Sequence, residues 1–304
     1  MNTNSVKNIL IGMFLIIIIV LGVLIFIGEQ RFALPPAREA AIHTLMERSG
    51  ISFTVQAEIT RSFRPMRQLL MHPYQFDLNS ITARFFGGDE YSIIEDAFGV
   101  TFISDEKHLT FVPNGNILIF VIPLGYATPE FLAAPTMASA QALATQYAQY
   151  LMGQNINMTL HSAELGRGGD YTLTYFGTFG GYDILNNRLM VRITDRGITR
   201  MEFSYFHVEG FSGAQVDIYS GDEAILALMN QLRQTGVIAG FNDSSARIEI
   251  DDMRLIYYLE NAQAVGQGQP ANPGYVFTVI IDQTRFNYIF NAYTNSFIRY
   301  EVVR

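Results

Sequence analysis

Ser220-Gly-Asp-Glu-Ala-Ile-Leu-Ala-Leu-Met-Asn-Gln-Leu232 is the stretch from which the fold of the body is read. Ser220 followed three residues later by Glu223 is a capping box: the serine oxygen can accept from the Glu223 backbone N–H while the Glu223 carboxylate reaches back to Ser220. Beyond the cap, Ala224, Ile225, Leu228, Met229 and Leu232 recur at helical spacing and make one apolar face. A helix with one apolar face must bury it, and the residues that follow supply the surface. Residues 247–250, 254–260, 275–281, 285–290 and 298–302 read as strands, with a flexible loop at 265–274 (VGQGQPANPG). The physical reading is a helix packed on one face of an antiparallel sheet.

The same order occurs upstream. Ala140, Leu143, Ala144, Tyr147 and Leu151 repeat at helical spacing after Thr136. Strands follow at 156–165, 171–178, 188–194 and 198–207, turning at Gly166–Gly169 and Asp195–Gly197. The ends of the two modules resemble each other: Thr194-Asp-Arg-Gly-Ile-Thr-Arg-Met-Glu-Phe203 aligns with Thr294-Asn-Ser-Phe-Ile-Arg-Tyr-Glu-Val302 with one residue deleted, a weak internal repeat. A first module opens with a helix at 37–48, entered through Pro35-Pro36 and stopped at Gly50, with Ile42, Leu45 and Met46 on one face. A strand at 51–60 follows. Residues 61–75 are ambiguous, with a short helix at 66–71 between Pro65 and Pro73. Asn114-Gly115 between two apolar runs marks a hairpin, because both positions of that turn accept φ > 0. Residues 123–135 (PLGYATPEFLAAP) close this module.

At the amino terminus, Ile9–Gly28 reads ILIGMFLIIIIVLGVLIFIG, without a charge. About 20 apolar residues at 1.5 Å rise span the ~30 Å of a bilayer core, and their insertion gains on the order of 5 to 10 kcal/mol. A cleaved signal peptide would use Lys7 as its charged region, but the run is longer than such segments and no A-x-A site follows. The expectation is an uncleaved anchor in the lipid bilayer through residues 9–28, with a short cytoplasmic tail and the bulk of the chain extracytoplasmic. The charges flanking the span do not fix this orientation. Within the span, Gly12 and Gly22 lie about 80° apart at ~100° per residue and would permit close helix approach. Gly12, Leu15, Ile19, Gly22 and Phe26 are the candidate partner-binding residues; a passive tether is the alternative.

The fold class expected is therefore α+β: an N-terminal transmembrane helix (1–30 with its tail), then antiparallel sheets each packed with a helix, in modules 31–135, 136–215 and 216–304. Composition agrees. The 304 residues are 49% hydrophobic and 16% charged, enough for a packed core, and 23 Phe with 16 Tyr favour strands. A net charge of −8 argues against nucleic acid as a partner. There is no cysteine, so no disulfide, thiolate metal site or cysteine nucleophile.

No constellation points to catalysis, a cofactor or a metal. His43, His72, His108, His161 and His207 are scattered, with no H-x-x-H spacing and no G-x-S-x-G beside them. Asp89-Glu90, Glu95-Asp96, Asp222-Glu223 and Asp251-Asp252 pair carboxylates, as acid/base catalysis or Ca²⁺ binding would need, without the spacing of a calcium loop. Asp222-Glu223 suits a helix N-terminus, and Asp251-Asp252 reads as a turn between strands. The glycine-rich runs at 166–169 and 177–181 lead into strand patterns, so they read as hairpin turns rather than phosphate loops.

The last third of the chain resembles the YycI family. The resemblance is carried by Ile218-Tyr-Ser-Gly-Asp-Glu-Ala224, Met253-Arg-Leu-Ile-Tyr-Tyr258, Pro273-Gly-Tyr-Val-Phe277 and Tyr288-Ile-Phe-Asn-Ala-Tyr-Thr294. Three positions depart from it: Ile256 stands where the family often has Gly, Tyr275 for a Trp, and Asn295-Ser296 for a closing Gly. The runs overlap with the broader PepSY-like modules and with the sister family YycH. What the resemblance implies is a non-enzymatic, membrane-anchored regulator beside a WalK-type sensor histidine kinase and a YycH-like co-regulator, acting partly through transmembrane contacts. The alternative is a PepSY-like extracytoplasmic binding module that captures a peptide, protease or envelope ligand, for instance by adding a strand to a sheet edge.

Overall fold

The computed structural model describes residues 14, 15, 17–21, 34–53, 59, 63–123, 135–153, 158–166, 168–236, 247–262 and 267–303. In chain order they form α1 (Pro36–Arg48), β1 (Ile51–Phe53), β2 (Met66–Pro73), α2 (Leu78–Phe86), β3 (Ser92–Glu95), β4 (Val100–Ile103), β5 (His108–Val112) and β6 (Ile117–Val121). Then come α3 (Met137–Met152), β7 (Thr159–Leu165), β8 (Tyr171–Phe179), β9 (Tyr182–Thr194), β10 (Gly197–Ser204) and β11 (Phe206–Val216). The chain ends with α4 (Gly221–Gln234), β12 (Ile248–Tyr258), β13 (Gln269–Ile281), β14 (Thr284–Asn291) and β15 (Phe297–Val303). This is an α+β fold whose strands pair mostly antiparallel. Two compact units divide it: Met1–Met66 with Gln215–Arg254 and Tyr275–Arg304, and Arg67–Ala214 with Leu255–Gly274.

In the first unit, α4 begins where the capping box puts it and buries the expected Ala224, Ile225, Leu228, Met229 and Leu232, each at most 2% exposed. Its four large apolar side chains contribute on the order of 6 to 12 kcal/mol of transfer free energy. The strands run β1-β12-β13-β14-β15, with β1 parallel to β12 (Ile51 beside Ile248) and β14 antiparallel to β15. α1 starts on Pro36, buries Ile42 and Met46, and stops at Gly50, whose φ of +69° suits a residue without a Cβ. Asp251 and Asp252 lie inside β12, not in a turn: one continuous strand replaces the two expected there.

In the second unit the order is β7-β8-β9-β10-β6-β5-β4-β3, antiparallel throughout. α3 is capped by Thr136, which accepts from Ser139 N at 3.2 Å. Its small residues Ala140, Ala144 and Ala148 are buried in one core with Leu118, Phe120, Leu173, Val191 and Met201. Two local expectations are corrected here. Residues 66–71 are part of β2, not a helix; Leu69 pairs with Ala271 of β13, in a stretch expected to be loop. The hairpin after β5 turns one residue later than expected: Val112 pairs with Ile117, and the left-handed residues are Gly115 and Asn116, not Asn114 and Gly115. The displaced turn has a cause. Asn116 is buried, and its amide nitrogen donates to the carbonyls of Tyr74 (3.0 Å) and Tyr205 (2.9 Å). A helix absent from the sequence reading, α2, is capped by Asp77, which accepts from Ser80 N, and closed by left-handed Gly87.

Candidate interaction surfaces

Of the candidate contact residues in the N-terminal stretch, Leu15 and Ile19 are helical and exposed. Gly12, Gly22 and Phe26 lie outside the described residues. Among the described residues, no helix is long and apolar enough to cross a membrane.

The start of α4 is an ionic knot within the first unit. Ser220 N donates to Glu223 Oε2 at 2.9 Å, the returning half of the capping box. Ser220 Oγ lies 2.6 Å from Asp222 Oδ1 and 2.7 Å from Glu223 Oε2, so its one proton serves one carboxylate at a time. Arg38 of α1 meets Asp222 Oδ2 through Nη2 at 2.6 Å and Nε at 2.8 Å. Asp222 is therefore a buried, paired anion rather than a solvated first-turn acid. Arg38 comes from 184 residues upstream, which no local pattern reveals.

At least one member of each other acidic pair is occupied. Asp89 meets Lys107 at 3.1 Å, Asp251 meets Arg285 at 2.9 Å, and Asp252 meets Arg254 at 2.6 Å. Asp96 accepts from Phe98 N and Gly99 N and shapes the turn after β3. His72 lies 2.7 Å from Glu209, and the His161 ring packs 5.3 Å from that of Phe176. Among the described residues, no group of three or more His, Asp or Glu could hold a metal ion.

The four runs that carry the family resemblance fall on a helix start, β12, β13 and the β14–β15 turn. Each departure has a structural account. Tyr275 is buried, and its hydroxyl donates to Tyr219 O at 2.7 Å, so the phenol supplies a polar tip to an otherwise apolar site. Burial leaves Ile256 almost inaccessible where it pairs with Asp183 of β9. Asn295 takes the left-handed position itself, with φ of +53°, and its side-chain amide donates to Glu223 O at 3.0 Å.

The most exposed apolar surface of the second unit is the β3–β4 hairpin. Ile93 and Ile94 are 57% and 52% exposed on opposite faces of β3, Tyr91 is 41% exposed before them, and Phe98 at the hairpin tip is 80% exposed. β3 is the terminal strand of its sheet and pairs only with β4 among the described residues. The sequence marks this strand as apolar but gives no sign that it is bare, since Ile-Ile ordinarily reads as core.

No family model matches the chain, and no curated protein matches it. Solved structures do. An uncharacterized protein from Eubacterium rectale ATCC 33656 aligns over 82% of this chain and 89% of its own, with a TM-score of 0.51 and 11% identity. The C-terminal domain of YpeB from Bacillus megaterium aligns over 77% of this chain and 99% of its own, with a TM-score of 0.38 and 10% identity. YycH from Bacillus subtilis aligns over 74% of this chain and 54% of its own, with a TM-score of 0.40 and 11% identity. The likeness to the Eubacterium protein is one of fold.

Proposed function

We propose that this chain is a non-enzymatic, membrane-anchored regulator of a sensor histidine kinase, with its body outside the cytoplasm and a YycH-like protein as co-regulator. The observation that supports this reading is the placement of the four resembling runs. They fall in order on the α4 cap, β12, β13 and the β14–β15 turn, downstream of the uncharged stretch at 9–28. A protein of this kind biases a kinase by binding its two signalling states with different affinity. Leu15 and Ile19, with Gly12, Gly22 and Phe26, would face the kinase within the bilayer.

The test is cross-linking of the full-length protein in its native membrane, followed by identification of what is attached. A sensor kinase should be recovered, and should be lost when residues 9–28 are replaced by an unrelated poly-Leu span. Recovery of soluble envelope proteins alone, unaffected by the span exchange, would favour the second reading, a binding module of the envelope. The bare β3 edge is the observation on the side of that reading.

A further inference from the structure

We propose that the outer edge of β3 is a docking edge for an extended apolar segment flanked by Lys or Arg, which joins the second unit as an additional antiparallel or parallel strand.

The core itself runs out to this edge. One cross-strand row passes through Leu173, Val191, Met201, Phe120, Leu109, Phe102 and Ile93. Along it the exposure is 0%, 0%, 0%, 1%, 0%, 8% and then 57%. Six residues are covered by their neighbours; the seventh has Phe102 on one side and, among the described residues, no strand on the other. An apolar side chain opposite Ile93 on a further strand would cover it and continue the row. The backbone offers the matching half: the N–H and C=O groups on the far side of β3 face no strand among the described residues. The strand is only four residues long and acids flank it at both ends, two of the devices that keep a sheet edge from pairing indiscriminately.

Charge selects the occupant. Glu90 and Asp89 precede the exposed run and Glu95 and Asp96 close it, all exposed; Lys107 is the base that meets Asp89. A second copy pairing antiparallel, Ile93 against Ile94, would set Glu95 of each strand opposite Ser92 of the other, with Glu90 two residues beyond on the same face, at both ends. Like charges so placed disfavour the symmetric pair. A strand with basic ends meets acids at both ends instead, and Phe98 at the tip adds apolar contact beyond the paired residues. This edge belongs to the second unit and does not depend on the kinase reading.

The probe is a synthetic peptide, KKVTVTIKK, titrated by fluorescence anisotropy against the full chain in detergent. Binding is expected, and Ile93→Lys should weaken it at least ten-fold with an unchanged far-ultraviolet spectrum. Alternate N-methylation of the peptide backbone should abolish binding, because the methylated amides cannot donate to the edge. Exchanging the lysines for glutamates should weaken binding at least ten-fold on the wild type, and the double variant Glu90→Lys/Glu95→Lys should reverse that preference. Equal binding of the N-methylated peptide, or of Ile93→Lys, would overturn the proposal. So would a concentration-dependent dimer lost in Ile93→Lys, which would make a second copy the occupant. Anionic vesicles captured through Phe98, with no peptide binding, would also overturn it in favour of a lipid surface.

Discussion

Arg38 and Asp222 lie 184 residues apart in sequence, yet Arg38 Nη2 stands 2.6 Å from Asp222 Oδ2 at the mouth of α4. The pair is asymmetric: the Asp222 side chain is 10% exposed, that of Arg38 46%. Removing the arginine leaves the buried carboxylate with Ser220 as its remaining side-chain partner among the described residues, whereas removing the aspartate leaves a half-exposed cation within reach of water. Because Arg38 is solvent-screened, Arg38→Ala should cost about 1–2 kcal/mol, between the values for surface and buried pairs. The double variant Arg38→Ala/Asp222→Ala should be less destabilised than the sum of the two singles. Urea denaturation of the four proteins measures this; strict additivity would show that the two residues act independently.

Asn116 answers for the shape of the β5–β6 turn. Asn116→Ala should cost about 2–3 kcal/mol, since the carbonyls of Tyr74 and Tyr205 lose its amide hydrogens in a buried setting. Asn116→Gly loses the same bonds but adopts φ of +50° without strain, so it should be the milder variant by about 1 kcal/mol. Reversal of that order in urea midpoints would place the effect elsewhere.

Asn187 bridges the break between β10 and β11. Its side chain donates to Phe206 O at 2.9 Å and accepts from Phe206 N at 2.7 Å, so it stands in for a strand at that point. Asn187→Leu keeps the volume but strands two buried backbone groups, and should cost about 2–4 kcal/mol. Amide hydrogen exchange at Phe206 should accelerate selectively. Unchanged protection there would contradict the assignment.

Asp77 makes part of the acid sensitivity. Hydrogen bonds from the Ser80 hydroxyl and backbone hold its carboxyl below the ordinary value. A carboxyl lowered in the folded state contributes stability above its unfolded value, and that contribution is lost as pH falls through the folded one. The window therefore lies below about pH 4. Asp77→Asn still caps α2 but does not titrate, so its melting temperature should fall less steeply than that of the wild type between neutral pH and this window.

Gly99 holds the β3–β4 hairpin open to a close backbone approach. A Cβ there would collide with the carbonyl oxygen of Phe111. Gly99→Ala should loosen the β3–β4 hairpin from β5, where Phe111 lies, and lower peptide binding at the β3 edge while leaving the melting of the α3 core largely intact. A cooperative loss of both would show that the hairpin is integral to that core.

Much of this architecture is written locally. The capping box and apolar stripe of α4 are complete within thirteen residues, and the small residues of α3 appear at their true spacing. Asp77 and Gly87 bracket α2 with an N-cap and a left-handed stop, and Leu78, Ile81, Phe85 and Phe86 recur at helical spacing between them, so this helix too is written locally. Other features depend on partners far along the chain. Met-Arg-Gln-Leu-Leu-Met at 66–71 consists of good helix formers, and becomes strand because Leu69–Met71 pair with Gln269–Ala271. Asp251-Asp252 reads as a turn until Arg285 and Arg254 neutralise both residues within β12. The modules counted along the sequence and the two units of the fold cut the chain differently for the same reason: each unit gathers stretches that are remote from one another. The β3 edge is the extreme case, because exposure of Ile93 is a property of what is not beside it.

The acids around β3 also make the molecule's self-avoidance conditional. At ~0.1 M salt their repulsion reaches across about 10 Å, and at 1 M only about 3 Å. Concentrated salt therefore removes the barrier between copies while leaving the apolar edge and its bare main chain in place. Colloidal stability should consequently decline as ionic strength rises, opposite to a protein held apart by hydration alone, and storage at low salt should keep it dispersed.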